Sequence, residues 1–352
     1  MKLNTELLLK GNEAAVYGAL LAGCECFFGY PITPASEIAH TAAELFPKLN
    51  RTFLQAESEL AAINMVFGAS AAGRQSMTAS SGLGISLKQE GISYIATCEL
   101  PAVIIDITRG GPGLGNIGPE QSDYNQVVKG GGHGSYKCIV LAPNSPQEMC
   151  DMTIHAFSLA KKYRTPVYVM ADGVIGQMLE PVKLPKPDGQ SEIPDWALAA
   201  TEETRRNIIT SIYLSHDDLE EVNIRLQKKY KLINDKEQMC ETYKVEDADL
   251  IVIGYGIVSR LIRTVVKKLR NEGLKVGMFR PKTLLPLPHE TLNSLAKTCN
   301  SFLCVEMSNG QLIDDIKLSI KCSKPVHFYN RMGGNIPSVE EISNKIKEIL
   351  AN

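Results

Sequence analysis

A repeated alternation between short apolar runs and longer stretches with helical spacing leaves few folds open to this chain. In the first half the apolar runs lie at 26–29, 76–80, 101–109, 138–142 and 166–171. Strands that are apolar along their whole length are typical of parallel sheets with helices on both faces, because neither face of the strand meets water. We therefore expect a parallel α/β domain over residues 1–182, whose first helix, over 12–25, is capped by Asn12.

The same alternation returns after residue 249, with apolar runs at 250–254, 275–279, 302–305 and 326–329. It predicts a second, smaller parallel α/β domain over residues 245–352. Residues 183–244 should join the two domains as a connector, which four prolines mark as extended (Pro181, Pro185, Pro187, Pro194). The charged stretch from His216 to Lys236 has helical spacing and predicts a solvated linking helix packed on one side.

Length and composition limit the classes of function. A chain of 352 residues is longer than one hydrophobic core usually serves, which agrees with two domains. The formal net charge of -2 gives no electrostatic reason to expect nucleic acid or an anionic membrane as a partner. The residues Met1-Lys2-Leu3-Asn4 do not form the start of a targeting segment, and no apolar run approaches a membrane span, so we expect a cytoplasmic protein.

The nine cysteines are scattered, with no Cys-x-x-Cys pair. We therefore expect neither an iron–sulfur cluster nor a structural zinc on this chain. Most of the cysteines lie in or beside apolar runs, where a cysteine is usually a small buried side chain.

Glu59 lies where the segment 52–68 changes from a short extended run to a helix of small apolar residues. Helix initiation alone would explain Glu57 and Glu59, because a carboxylate in the first turn is favoured by the exposed amides and the helix dipole. The apolar face that follows Glu59 also disfavours the charged form of a carboxyl beside it. A carboxyl held neutral can donate a hydrogen bond, which makes Glu59 a candidate for proton chemistry.

The run Gly29-Tyr30-Pro31-Ile32-Thr33-Pro34 follows the first apolar strand. Thr33 followed by Pro34 matches a helix N-cap with proline at the first helical position, and a cap would account for both residues. The end of a strand is also the rim at which parallel α/β proteins bind ligands, so Thr33 is a candidate contact as well.

Arg109 ends the most apolar strand of the first half, at the same rim. Its role is either an exposed salt bridge or a clamp for a carboxylate, which a guanidinium can hold by two parallel hydrogen bonds. The glycine-rich loop 110–124 after it is typical of a wall or lid over a site. His133, in the next glycine-rich stretch, is either a polar contact near this site or a solvated side chain.

These segments resemble a known enzyme family. Glu59 with its small-residue helix resembles the pyrimidine-binding module of thiamine-diphosphate enzymes. The run from Gly29 to Pro34 is similar to the signature of the alpha-type subunits of 2-oxoacid:ferredoxin oxidoreductases, and the loops after Arg109 are most similar to the 2-oxoisovalerate (3-methyl-2-oxobutanoate) group. The second half resembles the transketolase C-terminal domain. The resemblance implies an α/β fold with a thiamine pyrimidine-binding domain and a transketolase C-terminal-like domain.

The resemblance also implies roles for five residues. Glu59 would be catalytic, because in the family this acid bonds the ring nitrogen of the aminopyrimidine and drives formation of the ylide. Pro31 and Thr33 would contact the cofactor. Thr33, Arg109 and Asn116 would contact the substrate, and Arg109 would hold the 1-carboxylate of the oxoacid. No residue of this chain is expected to bind a metal ion.

The implied reaction is the oxidative decarboxylation of a branched-chain 2-oxoacid, with CoA as co-substrate and ferredoxin as electron acceptor. The sequence lacks the Gly-Asp-Gly run, followed by an Asn, that binds the diphosphate and its magnesium in this family. The resemblance thus implies an enzyme active only with a beta-type subunit that carries the diphosphate and Mg²⁺ site. A gamma-type subunit and a ferredoxin-like subunit are the other implied partners, with 4Fe-4S clusters on the partner chains.

Three alternatives stay open. One is a member of the same family specific for 2-oxoglutarate or pyruvate. Another is an NAD(P)-binding oxidoreductase that uses the glycine string from Gly113 to Gly118, or the turn at Gly254 and Gly256 with Arg280 at the end of the next strand. The third is a non-catalytic subunit that only completes an oligomer.

Overall fold

The computed structural model describes residues 6–186 and 193–351. Pro187, expected in the connector, and Met1 to Asn4, expected not to begin a targeting segment, lie outside the described residues. The strands are, in chain order, β1 (Glu6–Lys10), β2 (Cys26–Gly29), β3 (Thr52–Gln55), β4 (Ser76–Ser80), β5 (Ala102–Thr108), β6 (Ile139–Leu141), β7 (Pro166–Asp172), β8 (Leu179–Lys183), β9 (Cys240–Tyr243), β10 (Leu250–Ile253), β11 (Val276–Pro281), β12 (Thr283–Leu285), β13 (Ser301–Glu306) and β14 (Val326–Asn330).

Helices alternate with these strands along most of the chain. They are α1 (Gly11–Leu21), α2 (Ser36–Lys48), α3 (Glu59–Ala71), α4 (Leu83–Thr97), α5 (Tyr124–Val128), α6 (Pro146–Tyr163), α7 (Gly173–Gln177), α8 (His216–Lys236), α9 (Gly256–Asn271), α10 (His289–Leu295), α11 (Gln311–Ser319) and α12 (Val339–Ala351).

The larger sheet has seven strands in the order β12-β6-β7-β5-β4-β2-β3. All neighbours from β6 to β3 pair in parallel, and every residue of the central strands β5 and β7 is buried. Burial on both faces explains why these strands are apolar along their length. The predicted parallel α/β class is confirmed for this part of the chain.

The smaller sheet has the order β14-β13-β10-β11-β9, in which β9 is an antiparallel edge strand. The short strand β12 follows β11 in the chain but pairs antiparallel with β6 of the larger sheet. The apolar pattern predicts neither β9 nor β12, because each is defined by its pairing with a distant segment. The domain boundaries at 182 and 244 remain a proposal, since β12 belongs to the second half by sequence and to the first sheet by pairing.

The charged stretch after the connector forms α8, the longest helix of the described chain. The remaining positions are exposed or half-buried, and one stripe of the helix is buried: Val222, Leu226, Tyr230 and Ile233. The helix therefore packs on one side, as its spacing predicts. The prolines before it include Pro181 in β8, which pairs antiparallel with β1 as a separate two-stranded sheet.

The start of α1 differs from the prediction. The helix begins at Gly11, and Asn12 lies inside it, fully buried, instead of capping it. The amide of Asn12 donates to the carbonyl of Pro34 at 2.8 Å and to the carboxylate of Glu37 at 3.0 Å. These partners come from the next helix start, and such tertiary contacts leave no local pattern in the sequence.

The start of α2 also differs. The helix begins at Ser36, so Thr33 is not its N-cap and Pro34 is not its first residue. A cis peptide bond joins Thr33 to Pro34 in the turn that precedes the helix. The capping interpretation of this pair is therefore wrong.

Cysteine burial follows the prediction. Cys240 is half-buried and Cys322 exposed, while the other cysteines are buried, and all are free thiols. Within the described residues, none of the helices is long and apolar enough to span a lipid bilayer.

Candidate functional site

Glu59 is the first residue of α3, after the N-cap Ser58, whose hydroxyl accepts from Ala61 N at 3.2 Å. The Glu59 side chain turns into the protein and is only 5% exposed. Its Oε1 lies 3.5 Å from the hydroxyl of Ser80 at the end of β4. A Cβ at Gly84 would lie 2.5 Å from Oε1, so only glycine lets α4 approach the carboxyl this closely. Within residues 6–186 and 193–351, Oε2 has no hydrogen-bond partner.

Arg109 follows β5 and is half-buried. Its Nη1 donates to the carbonyl of Thr33 at 2.9 Å, and its Nη2 lies 3.4 Å from the carbonyl of Leu114. Gly82, with φ +51°, passes beneath the guanidinium, and a Cβ there would lie 3.5 Å from Nε. The structure thus brings Arg109 and Thr33 together, through the backbone of Thr33.

The turn between β4 and α4 connects the two candidate residues. Ser80 and Gly84 contact the carboxyl of Glu59, and Gly82, between them, contacts the side chain of Arg109. Glu59 and Arg109 therefore lie on either side of one short turn. This turn follows β4, and Arg109 follows β5, the parallel neighbour of β4, so both lie at the carboxyl edge of the sheet. This is the edge at which sheets of this type bind ligands.

A cleft of about 450 Å³ opens beside Arg109. Its walls are the glycine-rich loop 110–113, the start of α4 and, from the second half of the chain, Asn309, Gln311 and Met332. Glu120 and Asp123 also line it, and Arg109 is the single Lys or Arg among the lining residues that the structure describes. The cleft therefore offers one cation for an anionic group.

Pro31 and Asn116 occupy other positions. Pro31 is exposed in the turn before Thr33. Asn116 is exposed in the loop after Arg109, where its side chain accepts from Gly118 N at 2.8 Å and donates to the carbonyl of Gly333 at 3.1 Å. Neither residue lines the cleft beside Arg109. Their predicted roles stay predictions.

The residue patterns missed a pair of acids beneath the cleft. Asp106 on β5 is completely buried, and its pKa is raised well above the usual value, first by burial and then by the charge of Asp123. Burial also raises the pKa of Asp123, which accepts from Gly82 N at 2.9 Å. A single charged residue within the apolar run Ala102–Thr108 was the signal available for Asp106.

Lys88 on α4 was missed as well. It is among the largest fully buried side chains, and its Nζ lies 3.4 Å from the carbonyl oxygen of Glu59. The sequence could have indicated it by its position, because Lys88 lies between Ile85 and Ile92 on the inward stripe of the helix.

At Gly256, the place where the dinucleotide alternative needs a phosphate is already occupied by a side chain of the protein. A pyrophosphate would need the amides at the start of α9, but the buried carboxylate of Asp172 already accepts from Ile257 N at 2.8 Å. Arg280, the expected phosphate contact, is buried in ion pairs with Glu148 and Glu241. These groups leave no open place for a phosphate there.

The glycine string from Gly113 to Gly118 fails for another reason. The next helix begins only at Tyr124, so the string does not open a helix whose amides could face a phosphate. His133, in the following loop, is exposed.

The donor set at Glu59 fits one half of thiamine diphosphate. A buried carboxyl with one unoccupied oxygen suits a ring nitrogen that needs a single hydrogen bond. Within the part of the chain that the structure describes, no group of three or more His, Cys, Asp or Glu could hold a metal ion. The Glu59 carboxyl thus suits the pyrimidine half of the cofactor.

Comparison with protein families gives two matches. The model described as pyruvate flavodoxin/ferredoxin oxidoreductase, thiamine diphosphate-binding, matches residues 17–245. The model described as pyruvate:ferredoxin oxidoreductase core domain II matches residues 248–342.

Individual relatives agree with these families. The chain is 56% identical over 344 residues to ketoisovalerate oxidoreductase subunit VorB of Methanothermobacter marburgensis, with 97% of each chain covered. It is 36% identical over 375 residues to 2-oxoglutarate synthase subunit KorA of the same organism, covering 98% of this chain and 99% of the relative. Among solved structures, 2-oxoglutarate:ferredoxin oxidoreductase from Magnetococcus marinus, with 2-oxoglutarate, coenzyme A and succinyl-CoA bound, matches with a TM-score of 0.89 at 31% identity. That match covers 98% of this chain and 65% of the other.

Proposed function

Because this chain belongs to the 2-oxoacid:ferredoxin oxidoreductase family, we propose that it is the subunit that binds the pyrimidine half of thiamine diphosphate. The assembled enzyme decarboxylates a branched-chain 2-oxoacid oxidatively, forms the acyl-CoA and passes electrons to ferredoxin. The observation that carries the proposal is the placement of Glu59 and Arg109 on either side of the turn from Ser80 to Gly84. One side can hold a cofactor ring and the other the carboxylate of a substrate.

Glu59 is the proposed catalytic residue. Thiamine diphosphate supplies the carbanion chemistry when it is bound. Oε2 of Glu59 would donate the hydrogen bond to the pyrimidine ring nitrogen and would pass its proton there, while Ser80 and Gly84 keep the carboxyl from turning away. Burial excludes water from this bond, which strengthens it.

Arg109 is the proposed clamp for the substrate carboxylate. The carbonyls of Thr33 and Leu114 each take one N–H of the guanidinium and so fix its plane, which leaves three N–H groups for a ligand in the cleft. Thr33 and Pro31 then line the cofactor side of the site. Asn116 reaches the substrate only if its amide leaves Gly118 and Gly333, so we propose that this loop rearranges on binding.

The cleft supports a substrate with one carboxylate. A dicarboxylate such as 2-oxoglutarate needs a second cation for its distal group, because burying that charge unpaired is costly. The described lining offers Glu120 and Asp123 near Arg109 instead, and these acids repel a second carboxylate. The higher identity to the ketoisovalerate relative than to the 2-oxoglutarate relative points the same way.

Glu59 and Arg109 account for the pyrimidine and the substrate carboxylate, but not for the diphosphate of the cofactor. We propose that a beta-type subunit supplies the diphosphate and Mg²⁺ site, and that a gamma-type and a ferredoxin-like subunit complete the assembly, with the 4Fe-4S clusters on partner chains. Residues 1–182 form the pyrimidine-binding domain, 183–244 the connector and 245–352 the transketolase C-terminal-like domain of this cytoplasmic enzyme.

Cofactor binding tests this function. We expect the purified chain to bind thiamine diphosphate weakly, with no dependence on Mg²⁺, and the assembled complex to bind it tightly and only with Mg²⁺, as calorimetry can measure. The Arg109→Lys complex serves as the control, because Arg109 addresses the substrate and its change should leave cofactor affinity intact. Tight, magnesium-dependent binding by the single chain would contradict the shared site.

A further inference from the structure

Lys88 occupies a position that is normally apolar. The inward residues of α4 are buried against the sheet and α3, and Lys88 lies among them with no exposed surface. Removing an ammonium from water is costly unless other groups compensate for the lost hydration. A side chain kept at such a cost suggests a use for the charge.

The partner of this charge is Glu59. The bond from Nζ to the Glu59 carbonyl, at 3.4 Å, is the one hydrogen bond that the Lys88 side chain makes within the described residues. The Glu59 carboxylate is also the charged group whose field acts on it, from α3. The buried acids Asp106 on β5 and Asp123 in the following loop act on each other, and neither is among the groups that shift the pKa of Lys88. Burial lowers the pKa of Lys88 to about 8, against the opposing effect of Glu59.

We propose that Lys88 is a positioning residue for Glu59, whose ammonium stabilises the carboxylate left when Glu59 gives its proton to a bound ring nitrogen. This inference rests on the function proposed above. The proton leaves the carboxyl of Glu59 and bonds to the ring nitrogen, while Lys88 keeps its own protons. The ammonium acts on the state after the transfer, so it makes the transfer more favourable.

The pH range over which Lys88 loses its charge can be measured from the stability of the chain, without turnover. Lys88 binds its proton less tightly in the folded chain than in the unfolded one, whose lysines titrate near about pH 10.4. The destabilisation from its burial is therefore fully present below pH 8 and is lost as the pH rises toward 10. We expect Lys88→Met, an apolar change of similar length, to unfold at higher temperature than wild type at pH 7, with a gap that narrows by pH 9.5.

The functional measurement is exchange of the thiazolium proton in the assembled complex, followed from pH 6 to 9.5 by quench and NMR. In wild type we expect the exchange rate to fall above about pH 8, where Lys88 loses its charge. Lys88→Met should be at least about tenfold slower at pH 7, and it should lack this fall, so that its rate meets that of wild type at high pH. Lys88→Gln, which is neutral but polar, should behave like Lys88→Met.

Lys229 provides the matched control. It is a largely buried lysine on α8 and also has a lowered pKa, but it pairs with Glu99 at 3.1 Å. Lys229→Met should leave the exchange profile unchanged. A Lys88→Met or Lys88→Gln complex with the wild-type profile would overturn the inference, and so would a wild-type profile flat from pH 7 to 9.5, even if neither variant assembled. The proposed function is tested separately, because it predicts slow exchange in Glu59→Gln whatever the Lys88 variants show.

Discussion

Asp106 is completely buried, and within the described residues neither of its carboxyl oxygens meets a hydrogen-bond donor. The neighbouring carboxyl of Asp123 does have donors, Gly82 N at 2.9 Å and Gln126 Nε2 at 2.8 Å, and these favour its charged form. Two adjacent buried carboxyls do not readily carry charge together. Burial and the charge of Asp123 raise the pKa of Asp106 well above its usual value, so we expect Asp106 to be the acid of this pair that holds a proton.

This arrangement predicts the effect of Asp106→Asn on stability. Both acids bind protons more tightly in the folded chain, so the stability they contribute is present below their usual pKa and is lost as the pH rises through the raised values. An asparagine can donate to Asp123 at every pH. The free energy of unfolding of the variant should exceed that of wild type by about 1 kcal/mol or more at pH 8, with a smaller difference at pH 5.

Urea unfolding at both pH values provides the measurement. Asp235→Asn, at an exposed position of α8, is the control and should show no pH-dependent difference. If Asp106→Asn is less stable than wild type at pH 8, Asp106 does not hold the proton.

The role of a residue could be predicted where the residue lies at the end of a strand. Glu59 and Arg109 stand out because a polar residue beside an apolar strand or helix lies at the ligand-binding rim. Asp106 and Lys88 lie inside apolar elements, and their meaning depends on what packs against them. Thr33 shows the opposite case, because a local capping pattern was present and the helix begins at Ser36 instead.

At the scale of elements, buried carboxylates at strand ends accept hydrogen bonds from the amides at helix starts. Asp172, at the end of β7, caps α7 through Val174 N and Ile175 N and also accepts from Ile257 N of α9. Glu306, at the end of β13, accepts from three amides at the start of α11. These contacts compensate for the burial of the acids, and Asp172 ties a strand of the larger sheet to a helix of the second half.

Removing the Asp172 cap should therefore destabilise the folded protein more than removing an ordinary helix cap does. Asp172→Ala leaves the buried amides of two helices without an acceptor, so we expect a loss of about 2 to 4 kcal/mol in the free energy of unfolding. Ser215→Ala removes the exposed cap of α8 and should cost about 1 kcal/mol. Equal losses for the two variants, measured by urea unfolding, would show that Asp172 caps only one helix.

The elements themselves were predictable to different degrees. The long parallel strands and their helices follow from apolar runs that burial on both faces requires. The strands β1, β8, β9 and β12 do not, because each is defined by its pairing with a distant segment. Local periodicity contains no information about such partners.

At the scale of the whole molecule, the two halves form one cleft. Strand β12 joins the second half to the larger sheet, and Gln121 accepts from Met307 N at 3.0 Å and donates to the carbonyl of Tyr255 at 3.1 Å. The wall opposite Arg109 comes from the second half of the chain. Substrate choice should therefore depend on both halves.

This cleft predicts a substrate order. In the reconstituted complex with viologen as acceptor, kcat/KM for 2-oxoisovalerate should exceed that for 2-oxoglutarate by at least about tenfold, because the described lining offers no second cation. Arg109→Lys should lower kcat/KM for 2-oxoisovalerate, pyruvate and 2-oxoglutarate alike, since it weakens the clamp that they share. A higher value for 2-oxoglutarate would show that a partner chain supplies the missing cation.

The central claim is that Glu59 exchanges a proton with the cofactor ring. The direct measurement is the rate at which the thiazolium carbon of bound thiamine diphosphate exchanges its proton for deuterium in the assembled complex. Glu59→Gln should slow this exchange by about a hundredfold or more while assembly persists, because an amide cannot pass the proton. Glu57→Gln, two positions earlier and exposed, should exchange as fast as wild type. An unchanged rate in Glu59→Gln would contradict the role of Glu59 and the function built on it.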